Sequence, residues 1–221
     1  AQVFDDDGVK VGDEFQVSTE TAGDQSGQMV AALENGDFHI FWIDGGMWGQ
    51  LYSPTGEKKG GAFDASYGPG THVGFPPAVE WPNGKFAVAY ESKLNSNDRD
   101  VFCQLFNSNG TQDGSHIVLN DYKLNQQTRP VTALLSTGDF VVVWQGPGVG
   151  DGLLHGRFVS SDGSLPGAEF ALDSLDKFPE IAALNDGRFV VVASGNFGGD
   201  GPNIVLQLHN ADGTKDGGQI L

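Results

Sequence analysis

The sequence predicts an all-β fold, a β-propeller, from three observations. A glycine-paired hairpin recurs five times, a second kind of hairpin recurs four times between its copies, and the period stays near 50 residues. The first kind is an apolar strand end, a turn glycine, a second glycine four residues on and an apolar residue three beyond. It reads Phe4, Gly8, Gly12, Phe15; then Tyr52, Gly56, Gly60, Phe63; then Phe106, Gly110, Gly114, Ile117; then Val159, Gly163, Gly167, Phe170; and last His209, Gly213, Gly217, Ile220. The turn glycines are 48, 54, 53 and 50 residues apart. Four strands per period predict a four-bladed propeller with a terminal half-blade overlap; a five-bladed propeller and a β-sandwich are the alternatives. The repeat units fall at about 1–49, 50–101, 102–154 and 155–205, with a partial unit at 206–221, in a single domain.

The second kind of hairpin turns at Asn35-Gly36, Asn83-Gly84, Thr137-Gly138 and Asp186-Gly187. Asn-Gly and Asp-Gly suit tight turns because both central residues tolerate positive φ. Each turn leads into a strongly apolar strand: Phe38–Trp42, Phe86–Tyr90, Phe140–Trp144 and Phe189–Ala193. Most are apolar at both parities, which predicts burial on both faces. The preceding strands carry small residues (Ala31, Ala32, Ala133, Ala182, Ala183), suited to the crowded innermost position. The apolar strand is then second, the strand holding Gln2, Gln50, Gln104, Arg157 or Gln207 third, and the strand after the paired glycines outermost. The recurrent glutamines are expected to hydrogen-bond within their own blades. Residues 1 to about 20 form a surplus half unit, which either supplies a closing strand, seeds a fifth blade or pairs with a neighbouring molecule.

Composition narrows the partners. With 12 Lys and Arg against 29 Asp and Glu the net charge is −17. That disfavours a nucleic-acid backbone or an anionic membrane, and no run is long enough for a membrane span. The balance fits a secreted, extracellular protein that meets divalent cations. The single Cys103 permits no internal disulfide and sits in an apolar run as a buried hydrophobe. Asn109-Gly110-Thr111 is a glycosylation sequon on an expected turn.

The segment Ala1-Gln2-Val3-Phe4-Asp5-Asp6-Asp7-Gly8, followed by Gly12-Asp13-Glu14-Phe15-Gln16-Val17 and then Val30-Ala31-Ala32-Leu33, Gly36-Asp37-Phe38, resembles a repeat of large secreted bacterial proteins. In those chains a unit of the form AQxFxxxGxxxGxEFxV…PxVAALxDGxFVVVW recurs, often beside calcium-binding glycine-rich repeats. The resemblance covers nearly the whole chain and implies a structural repeat without one shared activity. The second unit departs from the pattern at Glu80-Trp81-Pro82 and in a longer connection, Tyr67–His72; the fourth ends its apolar strand on Ala193.

Enzyme motifs are missing: there is no His-Glu-x-x-His, no Gly-x-Ser-x-Gly and no phosphate-binding loop with lysine. Candidate metal ligands are Asp98, Asp100, Asp151 and Asp200 in acidic loops after the second strands, where oxygen-rich side chains suit calcium. Candidate ligand-binding residues are Met47 and Trp48, expected in a glycine-rich loop, together with Trp81 and Tyr90; an exposed Trp can stack on a sugar. Trp42, Tyr90 and Trp144 share a strand-end position and are also expected to pack between blades. The function expected from the sequence is a non-enzymatic, lectin-like carbohydrate-binding module with calcium as its candidate cofactor. The alternatives are a structural or adhesion repeat that engages protein surfaces or self-associates through the surplus hairpin, and a glycan-active hydrolase.

Overall fold

The structure is a computed structural model. It describes residues 1–20, 22–33, 35–65, 71–73, 78–93, 98–121, 126–147, 154–172, 175, 177–196 and 202–220. Among these every regular element is a strand, and no helix is long and apolar enough to cross a membrane.

Four sheets follow one another along the chain, each built from consecutive strands. The first contains β3 (Ser26–Ala32), β4 (Phe38–Ile43), β5 (Met47–Tyr52) and β6 (Lys58–Asp64). In the second, β7 (Thr71–Val73) and β8 (Ala78–Glu80) pair with successive stretches of β9 (Phe86–Lys93), which is followed by β10 (Arg99–Phe106) and β11 (Gln112–Val118). The third runs β12 (Thr128–Leu134), β13 (Phe140–Gln145), β14 (Leu154–Val159) and β15 (Phe170–Ala171). The fourth runs β16 (Lys177–Ala183), β17 (Phe189–Asn196), β18 (Pro202–His209) and β19 (Lys215–Ile220). A separate pair, β1 (Val3–Phe4) and β2 (Lys10–Val11), precedes them. All pairing within these sheets is antiparallel, and β3, β8, β12 and β16 contact one another between sheets. This is the propeller arrangement, with the small-residue strand innermost. Each blade begins at its inner strand, so the expected repeat boundaries, set on the paired-glycine hairpin, cut the blades through the middle.

Strand parity distributes the core. Phe86 joins the cluster between the first and second blades, whereas Ala87 and Ala89 join the one between the second and third. In the third blade Phe140, Val142 and Trp144 face the second, and Val141 and Val143 face the fourth. Successive side chains of a strand point to opposite faces, so a strand between two neighbours must be apolar at both parities. Trp42, Tyr90 and Trp144 are all buried, as expected, and burial pushes the Tyr90 hydroxyl and the Cys103 thiol well above their ordinary pKa.

In three of the four blades the outer half is fastened by a glutamine. Gln50 Nε2 donates to the carbonyls of Leu51, Lys59 and Gly60 at 2.9–3.4 Å. Gln104 reaches Leu105, Asp113 and Gly114 in the same way, and Gln207 reaches Leu208 and Gly217. Arg157 stands in the third blade and turns instead to the Leu119 carbonyl and the Asp121 carboxylate. Gly49 and Gly156 make room for an outer aromatic: a Cβ on either would sit 2.4 Å from the Phe63 ring or 2.5 Å from the Phe170 ring. Where the outer residue is the smaller Ile117 or Ile220, the third strand carries Cys103 or Leu206 opposite it.

His39 is a buried polar residue within the apolar run Phe38–Trp42. Its ring lies 4.4 Å from that of Phe86, and burial lowers its pKa from 6.5 to about 4 against the opposing pull of Asp37. A base with a depressed folded pKa stays neutral in the native state while the unfolded chain takes up a proton. Its contribution is therefore intact above pH 6.5 and is lost as the pH falls towards 4. At 1.36 kcal/mol per unit that is a loss of about 3 kcal/mol. His39→Phe is expected to remove most of this acid sensitivity in denaturant unfolding at pH 7 and pH 4. A variant that loses as much stability as the wild type over that range would refute the assignment.

Candidate active site

The inner strands carry an irregularity at one shared place. Pairing slips by one residue between Ser26 and Met29 in β3, between Thr128 and Val131 in β12, and between Lys177 and Glu180 in β16. The bulge residues are Gly27, Arg129 and Phe178, all left-handed, with φ of 64°, 55° and 56°. For glycine that conformation is free; for Arg129 and Phe178 it costs of order 1–3 kcal/mol each, and bulges of this kind re-aim side chains at functional sites. Both prolines that follow them, Pro130 and Pro179, are buried at the bottom of the bulge.

The bulges rim a cleft of about 530 Å³ to which every blade contributes: Met29 from β3, Glu91 and Arg99 from the β9–β10 end, Arg129 from β12, and Phe178 and Glu180 from β16. Glu91 forms its buried wall at 5% exposure. Its Oε1 accepts from Arg99 Nη1 at 2.9 Å and its Oε2 from the Arg129 backbone N–H at 2.8 Å. Burial nevertheless outweighs these partners and holds the Glu91 carboxyl above the usual carboxylate range. Glu180, which also lines the cleft, is exposed, and the Arg129 guanidinium lies over the half-exposed Phe178 ring, 4.7 Å from its centroid. The cleft thus combines a buried carboxyl, a solvated carboxylate, guanidinium donors and a flat apolar face.

The residues singled out from the sequence lie elsewhere. Met47 is fully buried in the core between the first two blades, and Trp48 belongs to β5 rather than to a loop. Trp48 pairs with Trp42 across β4 and donates its Nε1–H to the Asp44 carbonyl, at the edge of a smaller cleft with Ser18 and Glu20. Trp81 is buried against Phe140 and donates to the Gly138 carbonyl of the next blade; Tyr90 is buried and stacked on Phe102. Met47 and Tyr90 are therefore closed off inside the blade stack, whereas Trp81, though buried, also lines a shallow cleft with Pro82, Leu134 and Gly138. Asp100 is buried and accepts a 2.6 Å hydrogen bond from Asn120, whose own oxygen caps Val101 N–H, while Asp98 stands half-buried two residues away. Asp151 and Asp200 lie outside the described residues. Among the described residues no three His, Cys, Asp or Glu side chains gather closely enough to hold a metal ion.

Glu91, Arg129, Phe178 and Glu180 were not among those candidates. A charge directly after the apolar run Phe86–Tyr90 was one available signal. The bulges gave none, because the residue before a proline is ordinarily extended.

No protein-family description matches the chain, and no curated protein matches it either. Solved structures do. A Dyadobacter fermentans protein of unknown function superposes with a TM-score of 0.65 at 12% identity, over 89% of this chain and 64% of its own. An endo-arabinase from Bacteroides thetaiotaomicron gives 0.56 at 15% identity, over 89% of this chain and 80% of that one. A thermostable family-43 glycoside hydrolase gives 0.54 at 15%, over 92% and 76%. The chain thus spans just under two thirds of the first of these proteins. The likeness establishes the propeller fold, which is shared with glycoside hydrolases. It also overturns the expectation of a non-enzymatic, lectin-like module or a purely structural repeat, which had rested on missing motifs. Glycosidase chemistry needs only carboxyl groups brought together from distant strands, and these leave no linear motif.

Proposed function

We propose that this protein is a glycan-active enzyme that cleaves glycosidic bonds in the Glu91 cleft. The observation that carries the proposal is the presence of two carboxyl groups in unlike surroundings within one cleft, Glu91 buried with its pKa raised and Glu180 open to water. Glycoside hydrolysis uses such a pair: one carboxyl protonates the leaving oxygen, and the other activates water or attacks the sugar. Glu91 takes the acid role, because burial favours its protonated form. Glu180 takes the base role, because its side chain is exposed and within reach of water. Arg99 and the Arg129 amide orient Glu91, while the Phe178 ring offers a flat surface for the C–H face of a sugar. The glycoside hydrolases that share the fold support this reading.

The test is release of reducing ends from a panel of neutral and acidic polysaccharides that includes arabinan. The wild type is expected to act on at least one member, and Glu180→Gln to slow it. A folded wild-type protein that releases nothing from any member would overturn the proposal.

A further inference from the structure

The hairpin β1–β2 is built as the outer half of a blade, and among the described residues no inner half pairs with it. Gln2 Nε2 donates to the carbonyls of Val3, Val11 and Gly12, the bonds that Gln50 and Gln104 make in complete blades. Ala1 and Phe15 exchange backbone hydrogen bonds, where other blades place Gly49 opposite Phe63 or Cys103 opposite Ile117. The hairpin is docked on the first blade, with Phe15 5.1 Å from the Tyr52 ring. Yet among the described strands β1 pairs with β2 alone, whereas β5, β10, β14 and β18 all have a second strand on their other side.

Burial shows what is missing. Phe4 occupies the place of Tyr52, Phe106, Val159 and His209, which are 0%, 0%, 0% and 1% exposed; Phe4 is 55% exposed. The fourth blade is bare on the complementary side. Val190 and Val192 share a face with Leu206, Leu208 and Ile204, since Val190 pairs Leu208, Val192 pairs Leu206 and Ser194 pairs Ile204. The matching residues of inner blades (Ala87, Ala89, Val141, Val143) are wholly buried, whereas Val190 and Val192 are only half-buried and Ile204 is 69% exposed. A half-occupied gap with one unpaired strand edge and one apolar sheet face therefore lies between the fourth blade and the first.

We propose that this gap receives an antiparallel β-hairpin of the repeat's own inner type, and that its insertion completes a fifth blade. Its second strand must be apolar at both parities, because one face meets Val190 and Val192 and the other meets the first blade. That strand adds to β1 by backbone hydrogen bonds and carries an aromatic residue opposite Phe4, as Phe38 stands opposite Tyr52. Its first strand must be small-residued to fit beside β16 and β3. A second copy of this chain does not fit this role, since its inner hairpins are already paired within its own blades.

The probe is a synthetic peptide with the sequence of residues 128–145, added to the whole protein, beside a scrambled peptide. We expect one-to-one binding, slower hydrogen exchange at the Val3 and Phe4 amides, and a melting temperature raised by about 5–10 °C at roughly 100 times Kd. Phe4→Asp changes an exposed side chain, so it is expected to leave the unliganded melting temperature within about 2 °C and to weaken peptide binding at least tenfold. Absence of binding, binding equalled by the scrambled peptide, or binding indifferent to Phe4→Asp would each overturn the proposal. So would a dimer of the chain alone that Phe4→Asp dissociates and the peptide leaves intact.

Discussion

Replacing Glu91 by Gln is expected to lower kcat by roughly 10²–10⁴-fold on whichever glycan the wild type cleaves, the range general acid catalysis contributes. The amide cannot deliver a proton to a departing oxygen. It also sets an NH2 group against either Arg99 Nη1 or the Arg129 N–H, because both oxygens of Glu91 now accept. The pH profile separates these effects. Burial raises the Glu91 pKa, so wild-type activity should decline on the alkaline side as that proton is lost, and the decline should vanish in the variant. The fold supplies the control. A carboxyl whose folded pKa is raised contributes most stability below its unfolded pKa and loses that contribution as pH rises through the folded value. The wild type should therefore gain on Glu91→Gln in relative stability as the solution is acidified. A variant that keeps more than half the wild-type kcat with the same pH profile would remove Glu91 from the chemistry.

Trp81→Ala is expected to destabilise the fold by about 3–5 kcal/mol, the usual cost of deleting a large core aromatic. Trp81 stands just after β8, at the turn position that Leu33, Leu135 and Leu184 hold in the other units. It fills space against Phe140, whose ring centroid is 5.4 Å away, and its Nε1–H reaches the Gly138 carbonyl at 2.7 Å. One side chain thus ties the second blade to the third through both packing and a hydrogen bond. Trp81→Phe isolates the hydrogen bond and should cost about 1–2 kcal/mol less than the alanine change, since most of the ring volume stays. Guanidinium unfolding curves measure both. A loss under about 1 kcal/mol for Trp81→Ala would mean the tryptophan is not structural.

The blades were legible in the sequence because they are local. Hairpin turns such as Asn83-Gly84, two-faced strands such as Phe140–Trp144 and the recurring glutamine each declare themselves within a few residues. The site was not legible, for a physical reason. Glu91, Arg129, Phe178 and Glu180 meet only because the end of β9 and the inner strands β12 and β16, from three blades, converge on one cleft, and the left-handed bulges that aim Arg129 and Phe178 carry no glycine to mark them. Aromatic residues misled for the opposite reason. Trp81 and Tyr90 stand at positions where a repeat departs or a strand ends, and a blade interface uses such a side chain as readily as a ligand does.

The sequential pairing of strands has a kinetic consequence. Among the described residues every ladder but β7–β9 joins strands that are neighbours along the chain, and β7–β9 closes within one blade, so no blade needs a distant partner before its hydrogen bonds can close. Chains dominated by such short-range contacts search less conformational space and fold faster than β-proteins that must unite their ends. Each blade can form as its own cooperative unit and then be stabilised by the next, as in a linear array.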